Sequence, residues 1–85
     1  MKTDPSIIKE KVSEYIKQSV HTDKEKIKDE TMIFREGFLD SMAFIVLITF
    51  LEEEFRIKTN DSDLIEENFE SVNAITDFVV RKSEA

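Results

Sequence analysis

The chain has 85 residues, 40% of them hydrophobic and 36% charged, with 12 basic and 19 acidic side chains and a formal net charge of −7. That length makes a single small domain, 1–85, too small to enclose a deep catalytic cleft, and the absence of cysteine excludes both a disulfide framework and a thiolate zinc site. Residues 1–30 balance seven lysines against seven acids, so the negative excess lies in 31–85; such a surface repels phosphate backbones and anionic lipid, which argues against nucleic acid or membrane as partners and favours proteins with basic docking surfaces.

In chain order, Met1-Lys2-Thr3-Asp4-Pro5 does not read as a signal peptide, and no apolar run reaches membrane-spanning length. A reducing, cytoplasmic setting without membrane insertion is expected. Asp4 followed by Pro5 marks a helix start, because proline at the first helical position gives up only an N–H that lacks a partner anyway. Ile8, Val12, Tyr15 and Ile16 recur at helical spacing among Lys9, Lys11, Glu14 and Lys17, which carries this helix to about Ser19. Residues 20–40 hold apolar anchors, Ile27, Met32, Ile33, Phe34, Phe38 and Leu39, without a clean period. A loop of that length in a compact domain points to function or to a short helical turn within it.

The second helix is expected from Ser41 to about Phe55, and its core face is Phe44, Leu47, Ile48, Leu51 and Phe55. Its opposite side is not polar: Met42, Val46 and Phe50 form a second apolar stripe, flanked by Ala43 and Ile45. So small a domain cannot bury a helix on every side, so this stripe is expected to face a partner. Arg56 to Thr59 read as an extended link, Asn60 or Asp61 as the cap of a short helix around Ser62 to Glu67, and Ser71 as the cap of a last helix. In that last helix Val72, Ile75, Phe78 and Val79 share a face before a polar tail, Arg81 to Ala85. The expected fold is all-α, a four-helix bundle with a short third helix, a long loop between helices 1 and 2, and an ordered core over about 4–82.

Chemistry is sparse. His21 is the only histidine and has no metal-type companion, so it is expected as a surface side chain. Asp61-Ser62-Asp63-Leu64-Ile65-Glu66 fails as a calcium loop, with Ile65 where an oxygen ligand belongs and Glu66 where the bend needs glycine. Glu52-Glu53-Glu54 is expected as a solvated helix face. The single glycine, Gly37, rules out a glycine-rich phosphate loop. What remains is Asp40-Ser41 at the start of the second helix. An N-cap role explains that pair by itself, although Phe44 stands where a capping box needs Glu or Gln. The position also suits an anion such as a phosphodiester, because helix N-termini present unpaired N–H groups and the positive end of the dipole. No general base accompanies Ser41, which speaks against a hydrolase.

Asp40-Ser41-Met42 at the start of this helix and Leu51-Glu52-Glu53-Glu54-Phe55 at its end resemble the acyl carrier protein family. Asp63-Leu64, Glu67-Asn68-Phe69 and Ser71-Val72-Asn73-Ala74-Ile75 are similar to that family's third helix and its passage into the fourth. Glu30-Thr31-Met32-Ile33-Phe34 and Gly37-Phe38-Leu39 match the approach to its modified serine. The likeness covers roughly Ile27 to Val80, and Ser6 to Ser19 in helical pattern alone. It implies a protein that is not an enzyme. A phosphopantetheinyl transferase would place 4′-phosphopantetheine from coenzyme A on Ser41, with Asp40 helping that transferase recognise the site. The arm would carry acyl or aminoacyl groups as thioesters between a loading enzyme and downstream acyl-transfer enzymes, and its own thiol accounts for a chain without cysteine. Fatty-acid-synthesis carriers are generally acidic along the first two turns of this helix, where the present chain reads Ala43, Phe44, Ile45 and Val46. In this the chain resembles free-standing peptidyl or D-alanyl carriers, which implies a specialised biosynthetic pathway. Met42, Ala43, Val46 and Phe50 are the expected partner interface, and a monomer is expected. The competing expectation is a helical interaction module with the same fold and no prosthetic group.

Overall fold

The computed structural model describes residues 4–20 and 24–84. It is all-helical among the described residues: α1 (Pro5–Ser19), a 3₁₀ turn at Lys24–Lys26, α2 (Ser41–Phe55), a second 3₁₀ turn at Asp61–Asp63, α3 (Glu66–Phe69) and α4 (Val72–Glu84). His21 lies outside the described residues.

Both long N-terminal helices begin as the sequence predicts. Asp4 Oδ1 accepts from the Ser6 N–H at 2.8 Å, with Pro5 opening the first turn of α1. The α1 stripe of Ile8, Val12 and Ile16 is fully buried and packs chiefly on α4, where Val72, Ile75, Phe78 and Val79 meet it in one core. Leu47 and Leu51 of α2 complete that core with no exposed surface. Burying each such side chain contributes about 1.5–3 kcal/mol. The one buried hydroxyl on α4, Thr76, donates to the Val72 carbonyl at 2.8 Å, so its burial leaves no polar atom unpaired.

The core is wider than helical periodicity alone predicts. Val20, Ile27, Ile33 and Leu39 bury their side chains from the segment between α1 and α2, and Ile57 and Phe69 do so from the α2–α4 connection. Tyr15, Phe44, Ile48 and Phe55, expected inside, are half-buried at its edge. Backbone bonds explain how an irregular segment reaches the core: the Ile33 N–H donates to the Glu70 carbonyl at 2.9 Å, and the Asn73 N–H to the Asp29 carbonyl at 3.0 Å. These stitch residues 29–33 to the corner between α3 and α4, and satisfy main-chain groups that water would otherwise have to reach.

Three expectations are corrected. Arg56 is no extended link residue; it caps α2 in the left-handed conformation, φ 54°. The single short helix around Ser62 to Glu67 is two pieces, a 3₁₀ turn at Asp61–Asp63 and then α3. Asp63 causes the break: its carboxylate turns back to the Asn60 N–H (2.9 Å) and the Lys82 ammonium (2.8 Å), while its carbonyl takes the Asn68 amide (2.8 Å). Finally, Arg81 to Glu84 are helical and not a tail. Lys82 is anchored to Asp63, and the Arg81 guanidinium reaches Asn68 Oδ1 at 3.1 Å. Ser71 does cap α4, its Oγ accepting from the Ala74 N–H at 3.1 Å.

Candidate functional site

The approach to α2 is built by one helical turn that stops at the chain's single glycine. Within it the Glu36 N–H donates to the Met32 carbonyl at 2.8 Å. The turn closes when the Gly37 N–H bonds the Phe34 carbonyl (3.1 Å) and the Phe38 N–H bonds the Ile33 carbonyl (2.9 Å), the paired pattern of a glycine-terminated helix end. Gly37 has φ +80°, a region that costs an L side chain about 1–2 kcal/mol. Nothing stands within 4 Å of where its Cβ would be, so the backbone angle alone demands glycine. The reversal sends Leu39 into the core and delivers Asp40 to the start of α2.

Asp40 is the N-cap. Its Oδ1 accepts from the Ala43 N–H at 2.9 Å, while its carbonyl takes the Phe44 N–H at 3.0 Å. Ser41 is therefore the first residue inside the helix and is not the cap. Its side chain is exposed, and no hydrogen bond engages its hydroxyl among the described residues. The N–H groups of Ser41 and Met42 belong to the open first turn, at the positive end of a 15-residue helix.

Beside Ser41 runs an open groove of about 470 Å³, lined by Phe34, Leu39, Asp40, Ser41, Phe44, Leu64, Glu66 and Phe69. The 32–39 turn forms one wall, α2 the second, and the start of α3 with the residues before it the third. Two aromatic contacts run along it: Phe34 meets Phe44 edge-on at 5.5 Å, and Phe44 meets Phe69 edge-on at 5.3 Å. The Arg35 guanidinium lies 3.8 Å from the Glu66 carboxylate, both well exposed.

The second apolar stripe of α2 divides. Met42 and Val46 stand open at 69% and 54% exposure, and Ile45 joins them at 59%. Phe50 does not: its ring stacks on Tyr15 of α1 with centroids 4.1 Å apart and planes 9° from parallel, so it closes the α1–α2 seam. Ala43 is likewise half-buried against the core. The expected strip of Met42, Ala43, Val46 and Phe50 is corrected to an exposed patch of Met42, Ile45 and Val46. Sequence periodicity sees the angle of Phe50 around α2, but not the ring waiting on α1.

Beyond the patch, the far half of α2 is fixed to the following link by Glu52, whose Oε2 accepts from the Thr59 N–H (3.0 Å) and the Thr59 hydroxyl (2.9 Å). Those two bonds, the backbone one first, hold the Glu52 carboxyl below the usual glutamate range. Glu52 is thus a structural tie, whereas Glu53 and Glu54 are exposed, Glu54 reaching Lys11 of α1 at 2.9 Å. The Asp63 carboxyl is also held low, by the Lys82 hydrogen bond first and the Asn60 N–H second. Among the described residues, no group of three or more His, Cys, Asp or Glu side chains is placed to hold a metal ion, and no helix is long and apolar enough to cross a membrane.

Residues 10–79 match the family described as "Phosphopantetheine attachment site". The chain is also similar to the acyl carrier protein of Buchnera aphidicola subsp. Baizongia pistaciae (strain Bp), at 32% identity over 72 residues that cover 85% of this chain and 90% of that one.

Proposed function

Because the chain belongs to the phosphopantetheine-binding acyl carrier family, and is a carrier of covalently attached 4′-phosphopantetheine and not an enzyme, we propose that Ser41 is the residue that takes the arm. The observation that carries this is the division of labour at the start of α2. Asp40 holds the cap, so the exposed Ser41 hydroxyl serves no structural bond and can be esterified without unwinding the helix.

The local chemistry fits a phosphodiester. The Ser41 and Met42 N–H groups lie in the open first turn, where the helix dipole favours an anion. On a transferase, the Ser41 Oγ attacks the pyrophosphate of coenzyme A at the phosphorus nearer the pantetheine. The Oγ–P bond forms as the phosphoanhydride breaks, 3′,5′-ADP departs, and the serine proton passes to a base of the transferase. Once attached, the arm supplies the thiol on which acyl groups are held as thioesters. Asp40 presets the Ser41 geometry for that transferase through its bond to Ala43.

Met42, Ile45 and Val46 offer the transferase and the loading enzyme an apolar landing face beside Ser41, with Glu53 and the groove's Asp40 and Glu66 as an acidic rim. The apolar first two turns of α2 support the reading that this is a carrier of peptidyl or D-alanyl type with acyl or aminoacyl cargo. A specialised pathway and a cytoplasmic monomer complete the proposal.

Intact mass spectrometry after incubation with coenzyme A and a broad-specificity phosphopantetheinyl transferase tests the assignment. The wild-type chain gains one pantetheine phosphate and Ser41→Ala gains none, while its unfolding free energy stays within the range of a neutral surface change, about 0.5 kcal/mol. Modification that persists in Ser41→Ala overturns the assignment.

A further inference from the structure

Resting on Ser41 as the attachment point, we propose that the aromatic ladder under the groove keeps the cargo outside the bundle, so that this carrier serves short or polar acyl groups, aminoacyl groups among them, and not long alkyl chains. The ladder begins at the surface and ends in the core. Phe34 meets Phe44, Phe44 meets Phe69, and Phe69 meets Phe78 edge-on at 4.8 Å. Phe44 is half-buried, whereas Phe69 and Phe78 are inside and belong to the same cluster as Leu47, Leu51, Ile75 and Val79. An alkyl chain on Ser41 that sought apolar shelter would pass between α2 and α3, and there it meets Phe44 and Phe69 in contact. Edge-to-face rings are held by specific attraction as well as by area, and a core packed to crystal density does not yield space without moving them.

What lies on the groove side of the ladder suits a different cargo. The groove is open to solvent and mixes aromatic surface with two carboxylates, Asp40 and Glu66. A methylene chain lying there leaves one side in water and gains little. A short acyl group needs no shelter, and an amino group on it finds aromatic faces beside carboxylates already engaged by Ala43 and Arg35. Phe44 is thereby a specificity-determining residue: it sits at the border of groove and core and touches both Phe34 and Phe69.

The test loads amide-linked acetyl- and octanoyl-pantetheine analogues of coenzyme A onto the whole chain with the transferase, and reads intact mass first. A folded wild-type chain that gains no mass removes the premise and this inference with it. In the loaded wild type, the acetyl and octanoyl forms are expected to melt within about 1 °C of each other, with the Leu47, Leu51 and Val79 methyl resonances unmoved. In Phe44→Ala, the octanoyl form is expected to melt at least about 5 °C above the acetyl form, because the opened floor lets the chain bury methylenes. Phe44→Leu, which keeps more of the core volume, shows the same sign at smaller size and serves if the alanine variant does not fold. A loaded wild type that already melts higher with octanoyl, or that shifts those methyl resonances with chain length, overturns the proposal. So does a folded Phe44 variant in which chain length still makes no difference.

Discussion

α1 and α2 are both 15 residues long and both begin with an aspartate cap, yet they use their apolar residues in opposite ways. α1 has a modest apolar content and buries its stripe of Ile8, Val12 and Ile16 completely. α2 is apolar over its first three turns and buries only Leu47 and Leu51, leaving Met42, Ile45 and Val46 in solvent. Apolar content is therefore a poor measure of how much a helix contributes to the fold. On α1 all but Ile7 is spent on the core and on the seam with α2; on α2 the surplus lies next to Ser41, the proposed attachment point. The proposal of an interaction surface on α2 rests on this surplus.

The largest effects are expected where the two helices behave alike. Ile16→Ala in α1 and Leu47→Ala in α2 should each cost about 2–5 kcal/mol, measured by denaturant unfolding, since both leave a cavity in one shared core. That is a large share of the stability of so small a domain. Val46→Glu should stay within about 0.5 kcal/mol of wild type and still slow loading by the cognate enzyme. If Val46→Glu unfolds the chain, the contrast between the helices collapses and the open face of α2 is core.

Caps sharpen the comparison at intermediate size. Asp4→Ala and Asp40→Ala each remove one side-chain bond to a first-turn N–H, at 2.8 and 2.9 Å, so each should lower stability by about 1 kcal/mol. Only Asp40→Ala should also slow pantetheine transfer, read as the rate of mass gain. Equal transfer rates in the two variants would mean that the Asp40 cap has no part in presenting Ser41.

The smallest expected effect is in the dependence on pH. Glu52 on α2 and Asp63 before α3 both have carboxyl pKa values held below the usual range in the fold. A depressed folded value means that the stabilisation is present above the unfolded pKa and is lost as pH falls through the folded one. Melting points should therefore fall below the ordinary carboxylate range, and Thr59→Val or Lys82→Met should flatten that fall, because each removes a bond that depresses the pKa.

Helix starts were legible in the sequence because their determinants are local. Asp4-Pro5, Asp40-Ser41 and Ser71 each act within one turn, and each caps a helix in the structure. The stripes of α1 and α4 were legible for the same reason, as simple periodicity. Phe69 and Ile33 were not, because their burial depends on the 29–33 segment being stitched to the α3–α4 corner by main-chain bonds that carry no residue signature. The Phe50 position was misread for a related cause, its partner Tyr15 lying far away along the chain. At the site itself the sequence located Ser41 at the start of α2, but the assignment of the cap to Asp40 alone needed the geometry.

The Tyr15–Phe50 stack has an optical consequence. The chain has no tryptophan, one tyrosine and seven phenylalanines, so near-ultraviolet absorption and circular dichroism at wavelengths beyond the phenylalanine bands come from Tyr15. That single chromophore lies 4.1 Å from Phe50 at the seam between α1 and α2, while Phe50 in turn meets Phe55 edge-on at 6.1 Å. Any partner or cargo that shifts α2 against α1 alters the asymmetric surroundings of one ring. The seam is thus a label-free reporter of movement in α2, read in the unmodified protein.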